Sequence, residues 1–131
     1  MSQSQNTEDN NIYPIPEAEY NAGTFNGAWI GVDLDGTLAS YSHKCDPNYI
    51  GDPIPKMLER VRKWQAEGRK VKLMTARASH PDQIPIVQAW LDKHNLFMEI
   101  TNVKDFRMIE LWDDRCIQII PNTGERADGK D

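Results

Sequence analysis

Apolar and polar residues follow two different periods along the middle of this chain. Ile30, Val32 and Leu34 recur at every second position, which is the spacing of side chains on one face of a β-strand. After a loop, the apolar residues of 54–64 recur at helical spacing, and Gly68 supplies a helix stop. The pattern therefore predicts a strand, a loop and an amphipathic helix.

The alternation of strand and helix patterns continues to residue 120. Residues 71–75 predict a second strand, and a second helix is expected from residues 79–81 onward, with Trp90 and Leu91 on its apolar face. Three further short segments predict strands, at 99–103, 107–112 and 116–120. Such alternation predicts an α/β fold: a Rossmann-like three-layer α/β/α sandwich, with a mainly parallel sheet of about five strands and helices on both faces.

Polar segments at both ends enclose a single domain. Residues 1–27 carry four acidic residues and no Lys or Arg, so we expect a polar, flexible arm there, and residues 124–131 are expected to form a flexible tail. The intervening domain, 28–123, has 13 basic and 13 acidic residues, although the whole chain has a formal net charge of −5. A neutral domain argues against broad, charge-driven binding to nucleic acid.

Membrane and disulfide classes are disfavoured by the sequence. The chain has no apolar run long enough to span a bilayer, and we expect that its polar N-terminus is no signal peptide. Two cysteines, Cys45 and Cys116, are too few for a disulfide framework. These features predict a cytoplasmic protein with free thiols and no membrane partner.

Oxygen-bearing side chains end three of the predicted strands. Asp33 and Asp35 end the first and Thr75 ends the second. Asp113 and Asp114 follow the fourth. Because ligands of parallel sheets bind beyond the carboxyl ends of the strands, we expect these side chains to share one site. Carboxylates held together need a cation, and an all-oxygen site suits Mg²⁺, so the sequence predicts a magnesium site.

A lysine near this edge completes the candidate chemistry. Lys104 lies in the connection before the fourth strand, where its amine could reach the same edge. Lys70 and Lys72 are alternatives by residue type, but they enter the second strand at its opposite end. Lys104 is therefore the preferred candidate.

Four motifs resemble those of the haloacid dehalogenase-type (HAD-like) phosphohydrolases. They are Asp33-Leu-Asp-Gly-Thr37, a hydrophobic strand ending in Thr75, Lys104, and a hydrophobic strand ending in Asp113-Asp114. The resemblance covers roughly residues 29–120, and the first and last motifs are the specific ones. Residues 39–52 and 76–103 are too few to hold the cap domain that many relatives insert, so the resemblance is to small, capless members.

The resemblance implies a role for each matching residue. Asp33 would be the nucleophile that forms an aspartyl-phosphate, and Asp35 would be the general acid–base. Thr75 would bind a phosphoryl oxygen, and Lys104 would neutralise charge. The ligands of Mg²⁺ would be Asp33, the backbone carbonyl of Asp35, Asp113 and Asp114. The substrate-binding residues would be Gly36, Thr37, Thr75, Ala76, Arg77 and Lys104.

The expected function is a Mg²⁺-dependent phosphomonoesterase. Its substrate would be a nucleotide, a nucleic-acid end or another large phosphorylated molecule, because a capless site is open; a small substrate enclosed by a homo-oligomer partner or by the arm is the alternative. Two other functions stay open: a receiver-like switch that is phosphorylated on aspartate, and a noncatalytic module that binds metal or phosphate. Asp33 and Asp35 together favour the enzyme, because the second carboxylate would make a phosphoenzyme short-lived.

Overall fold

A four-stranded parallel sheet organises the part of the chain that the structure, a computed structural model, describes: residues 27–42 and 46–131. The elements of this part are β1 Trp29–Val32, α1 Pro55–Ala66, β2 Lys70–Met74, α2 Ile84–Lys93, β3 Glu99–Thr101 and β4 Met108–Trp112. The strand order is β3-β2-β1-β4, and every neighbouring pair is parallel. The predicted α/β fold with a parallel sheet is confirmed, and it is consistent with a Rossmann-like arrangement.

One hydrophobic core lies between the sheet and the two helices. In β1 and β2 the registered pairs Ile30↔Val71 and Val32↔Leu73 place alternate residues on one face. All four are buried, and they belong to a core cluster that also contains the apolar faces of both helices. The members from the helices are Met57, Val61, Trp64, Val87, Trp90 and Leu91.

Proline and glycine set the helix ends. Pro55 begins α1, where its missing N–H costs no hydrogen bond, and the chain after α1 turns at Gly68, whose φ is +82°. The second helix begins later than predicted. Residues Ala76–Ser79 and Pro81–Gln83 form two 3₁₀ turns, and α2 starts at Ile84.

The two helices lie on the same face of the sheet, so the expected third layer is not formed by residues 27–42 and 46–131. The path from β1 through β2 to β3 moves in one direction, and right-handed crossovers then place both helices on one side. The connection from β3 to β4, residues 102–107, contains no helix. On the opposite face Trp29 is buried, with the Lys72 ammonium 4.5 Å from its ring centroid and the Asp105 carboxylate 2.9 Å from its Nε1.

The predicted fifth strand, 116–120, does not join the sheet. Instead, Ile119 forms an isolated antiparallel bridge with Arg126, and the backbone N–H of Ile120 donates to the carbonyl of Glu125 at 2.9 Å. Residues of the tail therefore supply the hydrogen-bond partners of this segment, and Ile117 is 57% exposed. The arm, apart from Gly27, and Cys45 lie outside the described residues. None of the helices in the described residues is long and apolar enough to cross a membrane.

Candidate functional site

Three strand ends deliver polar side chains to one edge of the sheet, as the sequence predicts. Asp33 directly follows β1, Thr75 follows β2 and Asp113 follows β4. The backbone N–H of Asp33 donates to the carbonyl of Trp112, the last residue of β4, at 2.9 Å. The N–H of Thr75 likewise donates to the carbonyl of Thr101, which ends β3, at 2.9 Å. The sheet's own hydrogen bonding thus fixes these positions relative to one another.

Asp33, Asp113 and Asp114 form an acidic triad. One carboxylate oxygen from each lies within 4.8 Å of those of the other two. Two oxygens bound to an octahedral Mg²⁺ at about 2.1 Å are separated by about 3–4 Å. The spacing and the hard oxygen donors therefore fit a metal ion of this kind, although the same donor set also accepts other hard cations.

The raised pKa of Asp33 shows that the negative charges of the triad are unfavourable when no cation is bound. The pKa of Asp33 is raised from 3.8 to about 7, chiefly by burial, next by the negative charge of Asp113, and then by a hydrogen bond to the Asp114 carboxylate and the charge of Asp114. A backbone hydrogen bond from Leu34 opposes it. The metal-free triad therefore holds a proton up to neutral pH, which a bound cation would replace.

The turn after Asp33 holds Asp114 in place. The Thr37 hydroxyl donates to Asp114 Oδ1 at 3.0 Å and accepts from the Asp114 backbone N–H at 3.0 Å. Gly36 has φ +90°, and a Cβ at this position would lie 2.6 Å from Asp114 Oδ2. Gly36 and Thr37, which sequence reasoning assigned to the substrate, support a member of the triad.

Asp35 uses its side chain differently from the triad. Its carboxylate forms an ion pair with Arg77, with 2.7 Å between Asp35 Oδ2 and Arg77 Nε and 3.0 Å between Asp35 Oδ1 and Arg77 Nη2. Among the described residues, the grouped acidic ligands are Asp33, Asp113 and Asp114, without the Asp35 side chain. The metal ligand expected from Asp35 is its backbone carbonyl, and a grouping of carboxylate oxygens does not include that atom.

A cleft of about 620 Å³ opens beside the triad. Its walls are formed by Asp33, Asp35, Tyr41, Met74, Thr75, Ala76, Arg77, Ser79, Asn102, Asp113, Asp114 and Arg115. Of the predicted site residues, all except Gly36, Thr37 and Lys104 line it. The buried Thr75 hydroxyl accepts from the Arg77 backbone N–H at 3.1 Å.

Lys104 lies outside the cleft wall. It is exposed on the connection between β3 and β4, and in the described part of the chain the cations that line the cleft are Arg77 and Arg115. Lys72, the lysine that was set aside in favour of Lys104, forms an ion pair with Glu99 on β3, with 3.7 Å between Nζ and Oε2. Lys104 is thus not among the residues that line the cleft with the carboxylates.

Sequence reasoning missed several residues of the cleft. Arg115 directly follows Asp113 and Asp114, and Asn102 directly follows β3. Applying the rule of strand ends to every strand would have found both. Tyr41 comes from the loop after β1, for which the sequence offers no comparable signal, whereas Ser79 ends the 3₁₀ turn that follows β2, where its position just past the strand makes contact with substrate an expectation.

Comparisons of the chain with models of known protein families, with curated proteins and with solved structures gave no match.

Proposed function

We propose that this protein is a Mg²⁺-dependent phosphohydrolase of the HAD-like type, which removes a phosphoryl group through an aspartyl-phosphate on Asp33. One observation carries the proposal: a partly buried triad of carboxylates, Asp33, Asp113 and Asp114, lies in the same cleft as a fourth carboxylate, that of Asp35. A metal site alone would need the triad but not Asp35. A nucleophile and a neighbouring acid–base need both.

The reaction has two displacement steps at phosphorus. In the first, an Asp33 oxygen attacks phosphorus, the bond to the leaving oxygen breaks, and Asp35 gives that oxygen a proton. In the second, water attacks the aspartyl-phosphate, its proton passes to Asp35, and Asp33 leaves as a carboxylate. Mg²⁺, held by the triad and the Asp35 backbone carbonyl, would offset the negative charge that gathers on carboxylates and phosphoryl oxygens.

The remaining cleft residues would bind the phosphoryl group. Thr75 has a hydroxyl that can donate to a phosphoryl oxygen, and Ala76 follows it in the cleft wall. Arg115 is the cleft cation best suited to pair with the phosphoryl charge. Lys104 keeps a charge-neutralising role in this proposal because it follows a cleft residue, Asn102, by two positions, and its side chain is long.

The substrate class follows from the open cleft. It accommodates a phosphate monoester, and a nucleotide, a nucleic-acid end or another large phosphorylated molecule is proposed as the natural ligand. The balanced charge of residues 28–123 means that a nucleic acid would be held by local contacts to its terminal phosphate. A homo-oligomer that closes the cleft around a small substrate is the alternative.

Hydrolysis of an aryl phosphate tests the proposal. We expect phosphate release that requires Mg²⁺ and that falls by at least about 10³-fold in Asp33→Asn, because the covalent step is lost. The exposed Asp82→Asn, on the 3₁₀ turn before α2, is the matched control and should retain full activity. A phosphoenzyme that persists for hours in Mg²⁺ would instead favour the receiver-like switch, and Mg²⁺ binding without phosphorylation would favour the noncatalytic module.

A further inference from the structure

The Arg77 guanidinium is unusually well engaged for a residue that lines an open cleft. Its Nε and Nη2 form a fork on the two oxygens of Asp35, at 2.7 and 3.0 Å. Nη1 donates to the Pro47 carbonyl at 2.6 Å and to Gln83 Oε1 at 2.7 Å, and Nη2 also donates to the Tyr49 carbonyl at 3.0 Å. A guanidinium has five N–H groups, so every one of them is used by the protein itself.

This saturation argues against a direct role of Arg77 in binding the phosphoryl group. Any bond from Arg77 to a substrate would replace a bond to Asp35, Gln83 or the loop of Pro47 and Tyr49, three partners that hold it from different sides. The side chain is also only 14% exposed. The fork fixes both the position and the plane of the Asp35 carboxylate, because a bidentate pair allows little rotation.

The same contacts leave Asp35 able to accept a proton. Arg77 gives one hydrogen bond to each Asp35 oxygen, and an ionised carboxylate has about four acceptor positions. A water in the cleft can therefore still reach an unused lone pair. An ionised carboxylate held in a fixed orientation is the form required of a general base.

We propose that Arg77 is a positioning residue for the second half of the reaction, in which Asp35 activates water; this inference rests on the proposed function. Water oxygen bonds to phosphorus, the bond between phosphorus and the Asp33 oxygen breaks, and the water proton moves to the Asp35 oxygen that Arg77 holds. Inorganic phosphate and the Asp33 carboxylate are the products. Arg77 contacts Asp35 rather than the reacting atoms.

Burst kinetics with 2,4-dinitrophenyl phosphate separate the two halves. Its leaving group departs without a proton donor, so phosphorylation of Asp33 survives when Asp35 is disabled. For Arg77→Ala we expect kcat and KM each to fall about 30-fold, so that kcat/KM changes less than about 3-fold, and the burst to rise towards one dinitrophenolate per protein. Asp35→Asn should show the same pattern, and the double variant should be within about 3-fold of Asp35→Asn. Arg62→Ala, an exposed arginine on α1, is the matched control with wild-type kinetics.

Two milder variants keep the test decisive if Arg77→Ala does not fold. Arg77→Lys keeps the charge without the fork, and Gln83→Met removes one acceptor; both should lower kcat about 3- to 10-fold with an enlarged burst. A raised KM at wild-type kcat, losses that multiply in the double variant, or wild-type kcat in both milder variants would overturn the inference. A wild-type protein without Mg²⁺-dependent release of dinitrophenolate, or release that survives Asp33→Asn, would overturn the proposed function and this inference with it.

Discussion

Replacing Asp33 by Asn should stabilise the metal-free protein, although it removes the proposed nucleophile. Asn is nearly isosteric with Asp, and its side-chain oxygen can still accept the hydrogen bond from the Leu34 backbone. What the substitution removes is a negative charge that is partly buried beside Asp113 and Asp114. The wild-type protein bears the free-energy cost of that charge, and the variant does not.

The size of the effect follows from the pKa of Asp33. Raising this pKa from 3.8 to about 7 corresponds to about 4 kcal/mol at most. The triad faces an open cleft in which water screens the charges, so we expect about half of this, ~2 kcal/mol, or a melting temperature higher by about 6–8 °C.

The effect must depend on pH with a definite sign. Between pH 3.8 and about 7 the folded wild-type protein holds a proton on Asp33 that the unfolded chain has released, so wild-type stability rises as the pH falls through this window. The advantage of the variant is therefore complete above pH 7 and shrinks as the pH falls towards 3.8.

Urea unfolding in EDTA at pH 8 and pH 5 measures both quantities, with Asp82→Asn as a control that should shift stability by less than about 0.5 kcal/mol. Saturating Mg²⁺ should reverse the order at pH 8, because under the proposed function the ion would bind the triad of the folded wild-type protein. An Asp33→Asn protein that is no more stable than wild type at pH 8 in EDTA, or a difference that is the same at pH 5, would refute this account of the triad.

Other substitutions test the supports of the site. Gly36→Ala should destabilise by about 2–4 kcal/mol and weaken Mg²⁺ binding, because its φ is +90° and the added Cβ meets Asp114 Oδ2 at 2.6 Å; Gly68→Ala, with φ +82° and open space, should cost only about 1 kcal/mol and leave Mg²⁺ binding unchanged in calorimetry. Thr37→Val should weaken Mg²⁺ binding by about 10-fold, since Asp114 loses two hydrogen bonds; equal affinity would contradict the role of this turn. Leu73→Ala should cost about 3 kcal/mol in urea unfolding because Leu73 is fully buried.

The sequence was most informative where periodicity and strand ends coincide. The alternation around Ile30 and Val32 predicted β1, and the rule that ligands bind at the carboxyl edge of a parallel sheet predicted that Asp33 would meet Asp113 and Asp114. Both follow from geometry that every parallel sheet shares. A local pattern therefore predicts a site well when the sheet itself positions the residues.

The errors came from long-range or competing contacts. The apolar segment 116–120 has the composition of a strand, but it pairs with residues of the tail, as in the bridge from Ile119 to Arg126. The first strand was expected to end in Asp33 and Asp35, yet β1 ends at Val32, and the turn directs Asp35 to Arg77. A local sequence pattern cannot predict that the Arg77 guanidinium donates to the backbone carbonyls of Pro47 and Tyr49 in another loop.

The central claim is tested most directly by identifying the phosphorylated residue. The wild-type protein, mixed with 2,4-dinitrophenyl phosphate and Mg²⁺ and quenched in acid, should carry a phosphoryl group on the peptide that contains Asp33 in a fraction of the molecules, detected by mass spectrometry. Asp33→Asn should carry none, and EDTA should abolish the label in wild type. Mg²⁺-dependent turnover that proceeds without any label, and equally fast in Asp33→Asn, would contradict the claim that Asp33 is the nucleophile.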